Sequence, residues 1–153
     1  MKDYQIINYT DCTEEQHREI WKLRNLPEIR QWMTNSVPIE WKSHLNFVST
    51  LKCNKDRRYF AIFKQGCLVA TYNLTKDNDT TWERGIITSP SFQGSGSTSE
   101  IENIILDSLP KDEFTIITAK VKLDNLRSIR YHEKVGFTET ARDDQYVYFK
   151  KLL

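Results

Sequence analysis

The chain is short of the residues that carry the simplest functional signals. Among its 153 residues only three are cysteines, Cys12, Cys53 and Cys67. Their number is odd and no two stand at C-x-x-C spacing, which excludes a closed disulfide set and a cysteine-based zinc framework. No metal site is expected, and a reducing, cytoplasmic setting fits best. No apolar run approaches the roughly 20 residues of a membrane span. The opening Met1-Lys2-Asp3-Tyr4 lacks the hydrophobic region of a signal peptide, so neither export nor membrane anchoring is expected. Lys plus Arg, at 22, nearly cancels Asp plus Glu, at 21. That balance removes the bulk field that would draw the protein to nucleic acid or an anionic membrane. There is no internal repeat, low-complexity tract or linker, and the supply of Val, Ile, Leu and aromatic residues is enough for one core. A single domain over 1–153 is therefore expected.

The residues that are present set out an order of elements. Tyr4–Tyr9 favours a strand, and Asp11-Cys12-Thr13 leads into a helix whose Thr13 and Gln16 form a capping box. Ile20, Trp21 and Leu23 give that helix an apolar face ending near Arg24-Asn25, before Pro27 breaks it. A short helix is predicted over Glu28–Met33, and a third after Pro38 with Trp41, Leu45 and Val48 on one face. Beyond Arg58 the pattern changes. Tyr59–Phe63 and Cys67–Tyr72 flank Lys64-Gln65-Gly66 as a hairpin, and Thr81–Ile87 adds a strand after the Asp77-Asn78-Asp79 turn. The last third alternates: helix Thr98–Ser108, strand Phe114–Val121, helix Asn125–Val135, then strands Phe137–Thr140 and Gln145–Lys150. This is a β-α-β unit followed by an antiparallel pair. His132, next to Tyr131 on the second of those helices, is expected at the surface.

The most informative segment runs from Glu83 to Thr98: a strand, a Gly/Ser-rich loop, then a helix. Small residues leave the loop amides open to an anion, and the helix that follows offers unsatisfied N–H groups and the positive end of its dipole. A pyrophosphate suits that arrangement. A P-loop is disfavoured because no Lys-Ser/Thr follows the glycines, and a dinucleotide fingerprint needs a third small residue at wider spacing.

Gln93-Gly94-Ser95-Gly96-Ser97-Thr98 resembles the signature of the GNAT superfamily: Gln or Arg, two residues, Gly, one residue, Gly or Ala. Thr98 departs from it at the last position. Downstream, Asn125, Tyr131 and Gly136-Phe137 resemble the family's Asn, x5, Tyr, x4, Gly-Phe segment, in the family's order and with room for one helix and one strand between the motifs. The resemblance implies an α+β fold: a splayed, mostly antiparallel sheet of six to seven strands flanked by about four helices. It implies acetyl-CoA as co-substrate, with its pyrophosphate on the main chain of Gln93–Thr98, its pantetheine arm bordered by Ile86, Ile87 and Thr88, and a further contact from Asn125.

The implied activity is direct N-acetyl transfer to a primary amine. That reaction needs a base to produce the neutral amine and an acid for the leaving thiolate. Glu83 is the candidate base, or acts through water, and Tyr131 is the candidate acid, its phenol of pKa about 10 suiting a thiolate. The segment Arg24-Asn25 to Met33, with His44 and Phe47, resembles N-acetyltransferases acting on nucleotide-linked 4-amino-sugars of the pseudaminic acid pathway. This marks Arg24, Asn25, Arg30 and His44 for the acceptor, its phosphates in particular, and Trp32 as a stacking surface. Acetylation of a protein or peptide N-terminus and a non-catalytic acyl-CoA-binding module remain as alternatives. The aromatic final strands leave a homodimer open.

Overall fold

In the computed structural model, which describes residues 3–153, the first helix begins where the capping pattern puts it. The Gln16 amide donates to Thr13 Oγ1 at 3.1 Å and the Thr13 amide donates back to Gln16 Oε1 at 2.9 Å. Two amides that a helix end leaves orphaned are thereby satisfied. Helix α1 (Glu14–Asn25) turns His17, Ile20 and Leu23 inward at helical spacing. Pro27, harmless at the first helical position, opens the short α2 (Pro27–Arg30). Helix α3 (Trp41–Leu51) buries His44 and Leu51. Its inward face is rotated from the expected one: Leu45 is exposed, while Phe47 and Val48 pack on the core.

The strands are β1 (Tyr4–Asn8), β2 (Arg57–Lys64), β3 (Cys67–Asn78), β4 (Thr81–Thr88), β5 (Ile116–Lys122), β6 (Thr138–Arg142) and β7 (Tyr146–Leu152). Helices α4 (Ser97–Ser108) and α5 (Leu126–Lys134) lie on either side of β5 in sequence. The sheet order is β1-β2-β3-β4-β5-β7-β6. At the β2–β3 hairpin Gln65 and Gly66 both have positive φ, 51° and 78°, as a two-residue primed turn requires. Antiparallel β1–β2 runs from Tyr4↔Lys64 to Asn8↔Phe60. Parallel β4–β5 is paired over Thr81↔Ile116, Trp82↔Ile117 and Glu83↔Thr118. Antiparallel β5–β7 extends from Ile116↔Leu152 to Lys122↔Tyr146. The strand expected from Phe114 starts instead at Ile116. Phe114 is fully buried ahead of it, its ring 4.4 Å from that of Trp82, so its apolar character serves packing rather than the ladder.

The chain forms two compact units. In the first, the chain up to Leu74 with Gly85–Ile101, the core gathers Tyr9, Ile20, Leu23, Ile29, Leu51, Ala61, Phe63 and Leu68. In the second, Thr75–Arg84 with Glu102–Leu153, the buried residues include Trp82, Phe114, Ile117, Val147 and Phe149. Among the described residues no helix is long and apolar enough to cross a membrane. The capping box gives the first expected outcome: Thr13→Ala lowers unfolding stability by about 1 kcal/mol, read as a lower urea midpoint at unchanged slope. An unchanged midpoint would show that the box contributes nothing measurable.

Candidate active site

The loop after β4 is shaped by two left-handed glycines. Gly94 has φ 78° and Gly96 φ 86°, and a Cβ on Gly96 would meet nothing within 4 Å. Glycine is needed there for its backbone conformation rather than for lack of space. Gln93 N–H donates to Pro90 O, Ser95 N–H to Phe92 O, and Ser97 N–H to Ser95 Oγ. The Gly94 and Gly96 amides are taken up by no other described residue, and the loop runs directly into the N-terminus of the twelve-residue α4. Amides and helix dipole thus combine as an anion site requires, and the cradle suits a pyrophosphate. Thr98, the departure from the signature, places its Oγ1 2.8 Å from Thr88 Oγ1. The hydroxyl ties the end of β4 to the start of α4, a link that Gly or Ala would not supply. Ile86, Ile87 and Thr88 are half-buried on the strand leading in.

Glu83 is exposed, because on a strand it alternates with the buried Trp82 and Arg84. Arg84 points into a polar network that no sequence motif marks. Its Nε–H donates to Glu102 Oε2 at 2.8 Å and its Nη2–H to Glu102 Oε1 at 2.5 Å. Arg84 is 4% exposed and Glu102 0%, so the pair is withdrawn from water. Arg84 Nη1–H donates to His132 Nε2 at 2.9 Å, and His132 Nδ1–H donates to the Ser128 carbonyl at 2.7 Å. The carbonyl can only accept, which fixes the tautomer and leaves Nε2 as the acceptor. The Tyr131 hydroxyl donates to Glu102 Oε1 at 3.1 Å. Burial and the adjacent carboxylate push this phenol well above its ordinary range. Burial and the neighbouring guanidinium push His132 down to about 4.

His132 is therefore buried, not at the surface. Its ring stacks on Phe149 with centroids 5.1 Å apart and meets Phe137 edge-on at 5.3 Å, and neutrality makes that apolar setting tolerable. Successive helix positions diverge by about 100°, yet Tyr131 and His132 reach opposite ends of one ion pair. Glu102 carries a signal that sequence reading passed over: an acidic residue among Ile101, Ile105 and Leu106, all buried on the same helix. Asn125 caps α5, its Oδ1 accepting from Ser128 N–H at 3.3 Å.

Two of the N-terminal residues marked for the acceptor, Asn25 and Arg30, bond to backbone within the chain. Asn25 Oδ1 accepts from Ile39 N–H and its Nδ2–H donates to Ile39 O, both at 2.8 Å, while Trp21 Nε1–H donates to the same carbonyl. Asn25 therefore holds backbone. Arg30 also braces this loop, donating from Nε to Asn25 O and from Nη1 to Ser36 O. Trp32 is 38% exposed. Arg24 is half-buried, and among the described residues its Nε–H meets no acceptor.

His44 lies in the core of the first unit. It is 5% exposed, and its Nε2 lies 3.0 Å from His17 Nδ1, while His17 Nε2–H donates to Tyr9 O at 2.8 Å. That last bond leaves His17 Nδ1 as acceptor and His44 Nε2–H as donor. Burial, followed by His17 and Arg24, holds His44 down to about 4. Among the described residues no cluster of His, Cys, Asp or Glu is arranged to hold a metal.

Two of the three depressed histidines, His44 and His132, fix a pH response. The folded chain keeps His44 and His132 neutral down to about 4, whereas the unfolded chain protonates them near 6.5. Between these values the unfolded state binds more protons, so stability falls as pH drops from 6.5 toward 4. The loss reaches about 1.4 kcal/mol per unit for each histidine. In urea unfolding, His44→Gln is expected to be less stable at pH 7 yet to lose less than the wild type on acidification to pH 5. Equal losses would remove His44 from the account.

Comparison with known proteins converges on one family. Residues 11–137 match the acetyltransferase (GNAT) family. Acetyltransferase PseH of Campylobacter jejuni is 24% identical over 143 residues, covering 92% of this chain and 88% of that protein. The crystal structure of C. jejuni N-acetyltransferase PseH with acetyl coenzyme A superposes with a TM-score of 0.77 at 18% identity, over 98% of this chain and 99% of the other. Spermidine N-acetyltransferase from Vibrio cholerae, in complex with CoA and spermine, superposes with a TM-score of 0.83 at 19% identity, over 97% and 95% of the two chains. With an anion-cradling loop between β4 and α4, and a family match spanning most of its length, this chain belongs to the GNAT acetyltransferase family and is an acetyl-CoA-dependent N-acetyltransferase.

Proposed function

We propose that the acceptor is the 4-amino group of a nucleotide-activated deoxyamino sugar. The observation that carries this reading is that the similarity to PseH extends over nearly the whole chain, N-terminal helices included, where the sequence also resembles enzymes of that acceptor class. Arg24 supplies a cationic group with an unused buried Nε–H, suited to a phosphate oxygen. Exposed Trp32 supplies an aromatic face. Asn25 and Arg30 act by holding the 31–39 segment that carries Trp32, and His44 acts only through packing.

On the acetyl side, the Gln93–Thr98 loop binds the pyrophosphate, above all through the untaken Gly94 and Gly96 amides, with Ile86, Ile87 and Thr88 along the pantetheine and Asn125 at the cofactor through its helix cap. Glu83, exposed to solvent, takes the ammonium proton directly or through water. The freed amine attacks the thioester carbonyl, the C–S bond breaks as Tyr131 gives its proton to the sulfur, and the proton that the nitrogen sheds on becoming an amide returns to the Tyr131 phenolate. A phenol kept protonated by its surroundings carries its proton throughout the neutral range.

The test is thiol release from acetyl-CoA against UDP- and dTDP-linked 4-amino-sugars, aminoglycosides, polyamines and short peptides. Turnover of a nucleotide-linked 4-amino-sugar alone is the expected result. Preference for peptides would replace the acceptor by a protein N-terminus, and acetyl-CoA binding without turnover of any amine would favour a binding module. With the accepted sugar, Tyr131→Phe and Glu83→Gln are each expected to lower kcat by about 100-fold or more. Either variant at wild-type rate would remove that residue from its role.

A further inference from the structure

We propose that Glu102, locked by Arg84, is the positioning residue that aims the Tyr131 hydroxyl. The inference rests on the reading of Tyr131 as proton donor and extends it to groups that touch neither substrate. A phenol acting as general acid must present its oxygen at one place, since small misplacements are costly in rate. The Tyr131 ring alone does not fix that oxygen, because the residue is only half-buried and sits near the end of a nine-residue helix. Its hydroxyl is anchored to Glu102 Oε1 at 3.1 Å.

Glu102 in turn has no freedom. It is fully buried, and both carboxylate oxygens are taken by Arg84. Arg84 is itself fixed from the far side by His132, the residue next to Tyr131. The contacts therefore close a ring: Tyr131 to Glu102, Glu102 to Arg84, Arg84 to His132, and His132 back to Tyr131 through one peptide bond. Each of β4, α4 and α5 contributes to it, and α5 is gripped at two consecutive residues.

A plain structural ion pair does not call for this. Arg84 and Glu102 already satisfy each other, and its guanidinium plane also lies 4.7 Å over the Phe137 ring. The hydroxyl of Tyr131 is the one member of the ring that packing does not demand. The charged and titratable groups facing that phenol are Glu102 from α4 and Arg84 from β4, with neutral His132 beside it on α5. Burial, and after it the carboxylate, push this phenol up, while the guanidinium holds both carboxylate oxygens in place.

The experiment is a double-mutant cycle on the whole protein with acetyl-CoA and a UDP-linked 4-amino-sugar, comparing Glu102→Gln, Tyr131→Phe and the pair. If Glu102 acts through Tyr131, Glu102→Gln lowers kcat about tenfold or more while KM for acetyl-CoA stays within about twofold. The double variant is then no slower than Tyr131→Phe alone. In the same variant, with the carboxylate charge gone, the alkaline limb of the kcat profile moves down toward the ordinary phenol value of about 10, and Tyr131→Phe abolishes that limb. If Glu102→Gln slows the Tyr131→Phe enzyme by the same factor as the wild type, Glu102 is merely structural and the proposal is overturned. If Tyr131→Phe alone retains wild-type kcat, the reading of Tyr131 as acid has failed instead. Because Glu102→Gln strands a buried guanidinium and risks unfolding, the Arg84→Gln/Glu102→Gln variant, which removes both charges, provides the same comparison against its Tyr131→Phe counterpart.

Discussion

A guanidinium and a carboxylate taken wholly out of water lose more hydration than a poorly aligned contact returns. Arg84 and Glu102 meet that demand with two parallel hydrogen bonds and with further partners on each side, His132 for the cation and Tyr131 for the anion. Much of the second unit is arranged around this pair. β4 must twist Arg84 inward, α4 must carry an acid on its apolar face, and α5 must offer two polar side chains in succession. Removing Arg84 or Glu102 alone leaves a charge buried without compensation, at a cost of roughly 3–5 kcal/mol. The pair also ties down α5 through His132 and Tyr131.

The first unit solves a smaller version of the same problem without charge. His17 and His44 face each other in the core beside Tyr9, and one bond to a carbonyl decides the tautomer of both rings. Each is neutral because the site cannot solvate a cation, and Trp41 stacks on His44 with ring centroids 5.7 Å apart. Polarity here specifies how α1 meets α3 rather than what the protein binds.

Most of the fold was readable from the sequence because its signals are local. The capping box at Thr13, the Gln65-Gly66 turn and the β-favouring runs of β2 and β3 each depend on a few neighbouring residues, and each lies where the pattern puts it. The loop at Gln93–Thr98 was readable for the same reason. What escaped depends on partners distant in sequence. Arg84, Glu102 and His132 come from three elements spread over 48 residues, and nothing near His132 announces that its ring will lie on Phe149. The His17–His44 contact is not legible either, because a histidine on an amphipathic helix reads alike whether it faces solvent or another histidine. Leu45 was assigned to the wrong face because α3 turns that other ring, not the leucine, into the core.

The anchorage at Ile39 reaches beyond holding a loop. Asn25 and Trp21 of α1 clasp one backbone unit just ahead of α3, so the mostly exposed residues 31–38 hang between two fixed ends. Met33 packs on the core within that span, whereas its exposed side chains can be exchanged while the flanking helices stay where they are, so the acceptor side of the protein can be retuned without rebuilding its scaffold.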